Sequence, residues 1–337
     1  MVTIKDIAKL AKVSPSTVSK ALNSRHDVSE ETKQKILEIA TAYDFVPNVF
    51  GKNLKNKKTE NIGVIFRRET RPLSGNPFYS RVLEGIEAEL AINNFNLVLH
   101  LLPNDTNGVI PKMIREKQVD GVILGGAIHE DFIRNIRSKK MPMVMVDPKT
   151  PSREYQQILI DNERGAFLAV QYLVERGYKR IGFISGDLGR ESFHQRFFGY
   201  KKALKVYNLP FEEELVVTGD LEEGYEHTKK LLQLRNRPDA IFATNDVNAI
   251  YGYKAAEDAG LKIPDDIAFV GFDDIALAKM TSPPLTTIRV YKEELGSIAV
   301  RNLIKIINDE EISTGNTLIP VRLIERNSVR DLKKENN

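Results

Sequence analysis

The side chains best suited to recognition chemistry in this 337-residue chain fall into two sets. The first lies near the N-terminus, in "VSPSTVSKALN" from Val13 to Asn23, where Pro15, Ser16, Thr17, Ser19 and Lys20 stand in positions at which Glu, Gln or Lys would favour a soluble helix more. Short hydroxyl side chains let a helix approach a phosphate backbone or base edges closely, and a lysine is long enough to reach a guanine edge. The second set is spread along the chain: Asn76 and Phe78, Asp147, Arg190 and Arg196, Asn245 and Asp246, Asp273 and Asp274. Carboxylates, amides and guanidinium groups bind sugar hydroxyls in pairs, and an aromatic face covers the apolar side of a pyranose. Each also has an ordinary role: Asp246 and Asp274 as helix caps, Phe78 in a core, Arg190 and Arg196 in surface ion pairs.

The first set needs a helix to carry it. Ser14 can cap, Pro15 fits the first helical position, and Val18, Ala21 and Leu22 form one apolar face. A preceding helix opens on a capping box of Thr3 and Asp6 and carries the stripe Ile4, Ile7, Ala8, Ala11. A third starts at Ser29, has Glu30 and Glu31 at its positive end, and is expected to bury Ile36, Ile39, Ala40 and Tyr43. Two helices joined by a tight turn and braced by a third are the geometry of a helix-turn-helix, whose second helix enters the major groove. A small helical bundle with Ser and Thr chosen for solubility fits the same pattern. The following segment "PNVFGKNLKNKK" is a poor helix by composition and reads as a basic linker, although Leu54 among lysines is the arrangement of a side chain that wedges between base steps.

The second set needs strands. From Asn61 onward, "NIGVIF", "FNLVLHLL", "DGVILGG" and "PMVMVD" alternate with amphipathic stretches such as "FYSRVLEGIEAEL", and the rhythm repeats through "RIGFISG", "LVVTGD", "AIFATND" and "IAFVGFDD". Such alternation predicts parallel sheets covered by helices, in two similar subdomains. Ligands in these folds bind beyond the carboxyl ends of the strands, which is where the second set stands.

Composition narrows the function classes. With 42% hydrophobic and 28% charged residues the chain can build two or three ordinary domains, and with no cysteine it has neither disulfides nor thiolate chemistry. Residues 1–60 hold 11 Lys plus Arg against 7 Asp plus Glu, whereas the remainder holds 38 against 39, so the positive charge sits at one end and points to a polyanion partner. No export signal and no long apolar run occur, which predicts a cytoplasmic protein with no membrane partner. Phosphate-loop, dinucleotide, zinc-protease and nucleophile-elbow motifs are absent, and the five histidines, including His194, show no ligand spacing; no enzyme, metal or cofactor is expected.

The stretches "VTIKDIAKLAKVSPSTVSKALN" and "VSEETKQKILEIATAYDFVPN" resemble the DNA-binding domain of the LacI/GalR transcription regulators. "NPFYSRVLEGIE", "QRFFGYKKAL", "ATNDVNAIYG", "VGFDD" and "PPLTTIRV" resemble, in order, the periplasmic-binding-protein-like core of the same family. The resemblance implies a helix-turn-helix domain at 1–46, a hinge at 47–59 that folds on the operator, and an α/β core at 60–330. In that core the N-subdomain spans about 60–160 and 289–319, and the C-subdomain about 161–288 and 320–330. Thr3, Pro15, Ser16, Thr17, Ser19, Lys20 and Asn23 match DNA-contacting positions, joined by Lys52, Leu54 and Lys55 from the hinge. Phe78, Asp147, Arg190, Ser192, Arg196, Asn245 and Asp273 match effector contacts. Leu221 stands where sugar- and purine-binding relatives carry a large aromatic, and Gly51 where the family commonly has Ala. The implied protein is a homodimeric repressor of carbohydrate-use genes that binds a pseudo-palindromic operator in double-stranded DNA under control of a small effector. A regulator controlled by a protein co-regulator, as in the carbon-catabolite branch, and a sugar-binding protein are the competing readings.

Overall fold

The computed structural model describes residues 2–22, 28–43, 45, 58–67, 72–103, 109–152, 154–219, 223–310 and 315–334. Asn23, Lys52, Leu54, Lys55, most of the hinge and Leu221 lie outside them. The chain divides into two compact units, residues 1–59 and 60–337.

In the first unit, α1 (Ile4–Ala11), α2 (Pro15–Leu22) and α3 (Glu30–Ala42) close one core of Ile7, Ala8, Ala11, Val18, Ala21, Ile36 and Ala40. The capping box forms: Thr3 N–H and its hydroxyl donate to Asp6 Oδ2 at 2.9 and 2.6 Å, and Asp6 N–H donates to Thr3 Oγ1 at 3.4 Å. α1 ends on Lys12, which takes a left-handed φ of 58°, so the Val13 N–H returns to the Ala8 carbonyl at 3.0 Å and the chain turns directly into α2. Ser29 caps α3 through the Thr32 N–H. Tyr43 does not join the core; it is the C-cap residue of α3 and 51% exposed, because the helix stripe has already met its partners at Ile36 and Ala40.

The second unit holds two six-stranded sheets. One has the order β11-β5-β4-β3-β1-β2, from Thr317–Ile319, Gln156–Ile160, Met143–Val146, Gly121–Gly125, Asn61–Arg67 and Asn96–Leu102. The other has the order β12-β10-β9-β8-β6-β7, from Arg322–Ile324, Thr286–Arg289, Ala268–Asp273, Ala240–Ala243, Ile181–Ser185 and Val216–Thr218. All pairings are parallel except β10 with β12, an antiparallel edge that the strand rhythm alone did not predict. The chain passes between the sheets after Ile160, after Arg289 and between Ile319 and Arg322. Central strands such as β3, β4, β6 and β8 are buried along their whole length, as expected of strands covered on both faces.

Each sheet is covered by a helix pair that meets through glycine. Helix Tyr79–Ile92 packs on helix Lys292–Ile307, where a Cβ on Gly85 would fall on the Glu293 carbonyl and one on Gly296 on the Val82 carbonyl. Helix Asn162–Glu175 packs on helix Glu191–Val206 in the same manner, with Gly199 against the Glu163 carbonyl. These approaches bring backbone against backbone and fix the helices that present the cleft residues.

Candidate functional site

In α2, Ser14 is the hub of the hydroxyl set. Its Oγ accepts the Thr17 N–H at 3.1 Å and lies 2.6 Å from Ser16 Oγ and 2.8 Å from Thr17 Oγ1. Part of the answer to why short hydroxyls stand here is therefore local: they complete the cap of a two-turn helix. Pro15, Ser16 and Lys20 are exposed, Thr17 and Ser19 half-buried, and Val18 and Ala21 face the core, so one side of α2 is left to solvent with hydroxyls and an ammonium on it. Thr3 sits at the start of α1 with its hydroxyl turned to Asp6.

In the core, the second set gathers where the two subdomains face each other. Arg196, in helix Glu191–Val206, is buried, with Nε donating to Asn162 Oδ1 at 2.8 Å, Nη1 donating to the Thr244 carbonyl, and Nη2 3.6 Å from Asp273 Oδ1. Its guanidinium lies 3.7 Å from the centroid of the Phe272 ring. Burial pushes the Arg196 pKa down, opposed by the Asp273, Asp147 and Asp246 carboxylates, which keep a buried cation compensated. Asp273 is 8% exposed, and its Oδ1 has no hydrogen-bond donor among the described residues.

From the other subdomain come Asp147, at the end of β4, and Phe78. The Tyr79 hydroxyl donates to Asp147 Oδ2 at 3.0 Å, and Phe78 packs edge-on against Tyr79 with ring centroids 5.1 Å apart. Asp147, Asp273 and Asp274 all have positive φ, of 48°, 110° and 50°, a strained conformation for residues with a side chain. Arg190 and Ser192 stand at the start of helix Glu191–Val206, with the Arg190 guanidinium 5.7 Å from the Phe193 ring; His194, one turn on, is exposed.

Three residues of the set do structural work. Asn245 caps helix Asp246–Asp258 by accepting the Asn248 N–H at 2.7 Å, so the cap is one residue before Asp246. Asp246 is instead fully buried, accepting from the Thr287 hydroxyl and, at 2.8 Å, from the Ile275 N–H; burial first and the Asp273 carboxylate second hold its pKa well above the usual range. Asp274 is held by Arg289 and Arg326 rather than capping a helix.

Sequence reasoning missed Asn162, Tyr79 and Lys292. Lys292 is buried at the first position of its helix, where a cation opposes the helix dipole, and that misplacement was its one signal. Its Nζ donates to the Asp273 carbonyl, to Val290 O at 3.2 Å and to Asp274 O at 3.5 Å. It thus ties the helix covering one sheet to the strand end of the other. A second bridge across the cleft runs from the Glu191 N–H to the Lys149 carbonyl at 3.2 Å.

Burial pushes the Asp273 carboxyl up to about 6, with Arg196 and Lys292 pulling it down and Asp147 adding repulsion. Its ordinary value is 3.8, so the folded state holds this proton more tightly than the unfolded chain. The stability it contributes is fully present below 3.8 and is lost as pH rises through about 6. Denaturation at a series of pH values should show this slope in the wild type and a flatter profile in Asp273→Asn; identical profiles would mean that Asp273 ionises as freely as in water.

A helix-turn-helix unit with a hydroxyl-bearing second helix, joined to a two-sheet core with a polar seam between its halves, defines a DNA-binding transcription regulator with a periplasmic-binding-protein-like core. Residues 3–48 match bacterial regulatory proteins of the lacI family, and residues 170–329 match the periplasmic binding protein-like domain. The chain is 35% identical to the probable HTH-type transcriptional repressor ExuR of Bacillus subtilis (strain 168), across 98% of this chain and 99% of that one. It is 32% identical to the ribose operon repressor of Haemophilus influenzae, across 99% and 100%. Its fold superposes on the lac repressor dimer bound to operator and the anti-inducer ONPF with a TM-score of 0.83, at 25% identity over 98% of this chain and 99% of that one. The chain belongs to the LacI family of bacterial regulatory proteins.

Among the described residues, no helix is long and apolar enough to cross a membrane, and no cluster of His, Asp and Glu could hold a metal ion.

Proposed function

We propose that this protein represses carbohydrate-use genes in the cytoplasm, binding a pseudo-palindromic operator as a homodimer and changing its operator affinity when a small polyhydroxylated effector enters the cleft. It acts by binding and uses no metal or cofactor. The observation that carries this reading is the Asp273 carboxylate, nearly buried between Arg196 and Asp147 with an oxygen that lacks a donor. A sugar hydroxyl is the donor that satisfies such an oxygen without introducing a further charge. The two bridges across the cleft, from Lys292 and from Glu191, give a ligand something to bias: it alters DNA affinity only if it binds the closed and open arrangements differently.

On the DNA side, the exposed face of α2 is the reading surface, with Pro15, Ser16, Thr17, Ser19 and Lys20 meeting the major groove, and Asn23, outside the described residues, is a further DNA contact. In the hinge, Leu54 wedges between base steps in the minor groove while Lys52 and Lys55 meet phosphates. Lys20→Ala should weaken binding to the cognate site by roughly 1–3 kcal/mol and weaken binding to random DNA much less, since base contacts discriminate and phosphate contacts do not. Gel-shift titrations on both DNAs decide it; an equal loss on both would reduce Lys20 to a phosphate contact. A thermal-shift screen with pentoses, hexoses and purines tests the effector. A protein whose stability and operator affinity respond to none of them belongs with regulators controlled by a co-regulator protein.

A further inference from the structure

Beside the Asp273 cluster lies a cavity of about 570 Å³ whose lining comes from both subdomains. One supplies Ser80 and Arg81 from the first turn of helix Tyr79–Ile92, with Tyr291, Lys292 and Glu293 from the start of helix Lys292–Ile307; the other supplies Asp274 and Lys279. Arg289, at the end of the crossing strand β10, completes the wall. The lining therefore holds four cations, Arg81, Lys279, Arg289 and Lys292, against two carboxylates. Of those two, Asp274 already receives both Arg289 and Arg326, which hold its carboxyl low against the effect of burial, and Glu293 lies 3.8 Å from Arg81 Nε; Arg81 Nη1 also donates to Glu84 Oε2 at 2.6 Å, outside the lining, so the surplus positive charge rests mainly on Lys279 and Lys292. Lys292 makes only carbonyl contacts here, so its charge is not cancelled by a carboxylate within hydrogen-bond reach. The first turns of two helices also open on this space, with their partial positive ends toward it.

We propose that this chamber accepts an oxyanion, a phosphate or a carboxylate, and that its occupation holds the two subdomains together. The oxyanion is either the charged end of the effector or a free anion bound as a second ligand. The inference rests on the cleft reading only for the first of these. An occupant would touch Arg81 on one subdomain and Lys279 on the other, and binding that needs both favours the closed arrangement. Ser80 and the Tyr291 hydroxyl would supply neutral donors to the remaining oxygens.

The test uses the full chain and three kinds of probe in calorimetry: a panel of neutral sugars, the phosphate and uronate derivative of each, and inorganic phosphate alone. Each is titrated into the wild type and into Arg81→Gln/Lys279→Gln, a double change at exposed positions outside the Arg196–Asp273 cluster. If the oxyanion is part of the effector, a derivative binds roughly tenfold more tightly than its parent sugar and the double variant loses that difference. If it is a free anion, inorganic phosphate binds the wild type in a salt-sensitive way and the double variant far more weakly. Wild type and double variant binding every probe alike would overturn the proposal. Neutral sugars binding normally in that case would leave the cleft reading intact, whereas sugars that fail to bind while phosphate binds would overturn the cleft reading alone.

Discussion

Arg196→Ala should abolish the response of operator affinity to effector while leaving basal DNA binding nearly intact. The guanidinium is the one group that touches Asn162, the Thr244 carbonyl and Asp273 at once, so its loss removes the cation facing Asp273 and leaves Asn162 Oδ1 and the Thr244 carbonyl without this donor. Breaking a buried pair by deleting one partner typically costs about 3–5 kcal/mol, enough to lower effector affinity by more than a hundredfold if that cost falls on the ligand-bound form. The hydroxyl-bearing helix α2 lies in the other compact unit, so operator binding without effector provides the internal control. Calorimetry with the effector and gel shifts with and without it separate the outcomes. Retained ligand affinity in the variant would remove Arg196 from the site.

Gly85→Ala should destabilise the core by about 3 kcal/mol, a fall of roughly 5 °C in its unfolding temperature for a body of this size. The added methyl would land on the Glu293 carbonyl of the facing helix, and backbone cannot swing aside as a flexible side chain can. Either the two helices move apart, uncovering Val82 and Ile86 below them, or the first turn of the second helix distorts and carries Lys292 away from Asp273. Gly75→Ala is the matched control, because a Cβ there meets only the Pro72 ring, Cγ at 3.6 Å and Cδ at 3.8 Å, both ordinary contacts. Calorimetric scans of the two variants should differ clearly; equal unfolding temperatures would mean that the helix pair is loose enough to accept a side chain.

The alternation of apolar runs with amphipathic ones was enough to read two parallel-sheet subdomains, and the caps at Thr3, Ser14 and Ser29 were readable because a cap is made by residues three apart. Harder to read was anything made by residues far apart. The approach of Gly85 to Glu293 joins positions more than two hundred residues apart, and nothing local distinguishes Gly85 from any other helical glycine. Asp246 was open to two readings because a carboxylate after a strand looks the same as a ligand contact and as a cap; its neighbour Asn245 took the cap, and Asp246 is buried against Thr287, a tie between distant segments that neither reading foresaw. Tyr43 fell at the right helical spacing for the core but past the last turn that has a partner. The positions of Arg196 and Asp273 followed from strand ends, whereas the atoms that hold them, on Asn162, Thr244 and Lys292, belong to segments that meet only in the folded core.

The three passages of the chain between the sheets also set a timetable for synthesis. When Arg289 leaves the ribosome, every strand of the second sheet but β12 has been made, while the first sheet still lacks β11 and the helix that covers Val82 and Ile86. The subdomain begun first is therefore completed after most of its neighbour, and its apolar face stays open while some 30 further residues are translated. Folding strictly from the N-terminus, the usual order for domains emerging from the ribosome, is therefore not the expected order within this core. A nascent chain halted just after Arg289 has cleared the ribosome should resist protease across β6 to β9 and be cut readily across β1 to β4.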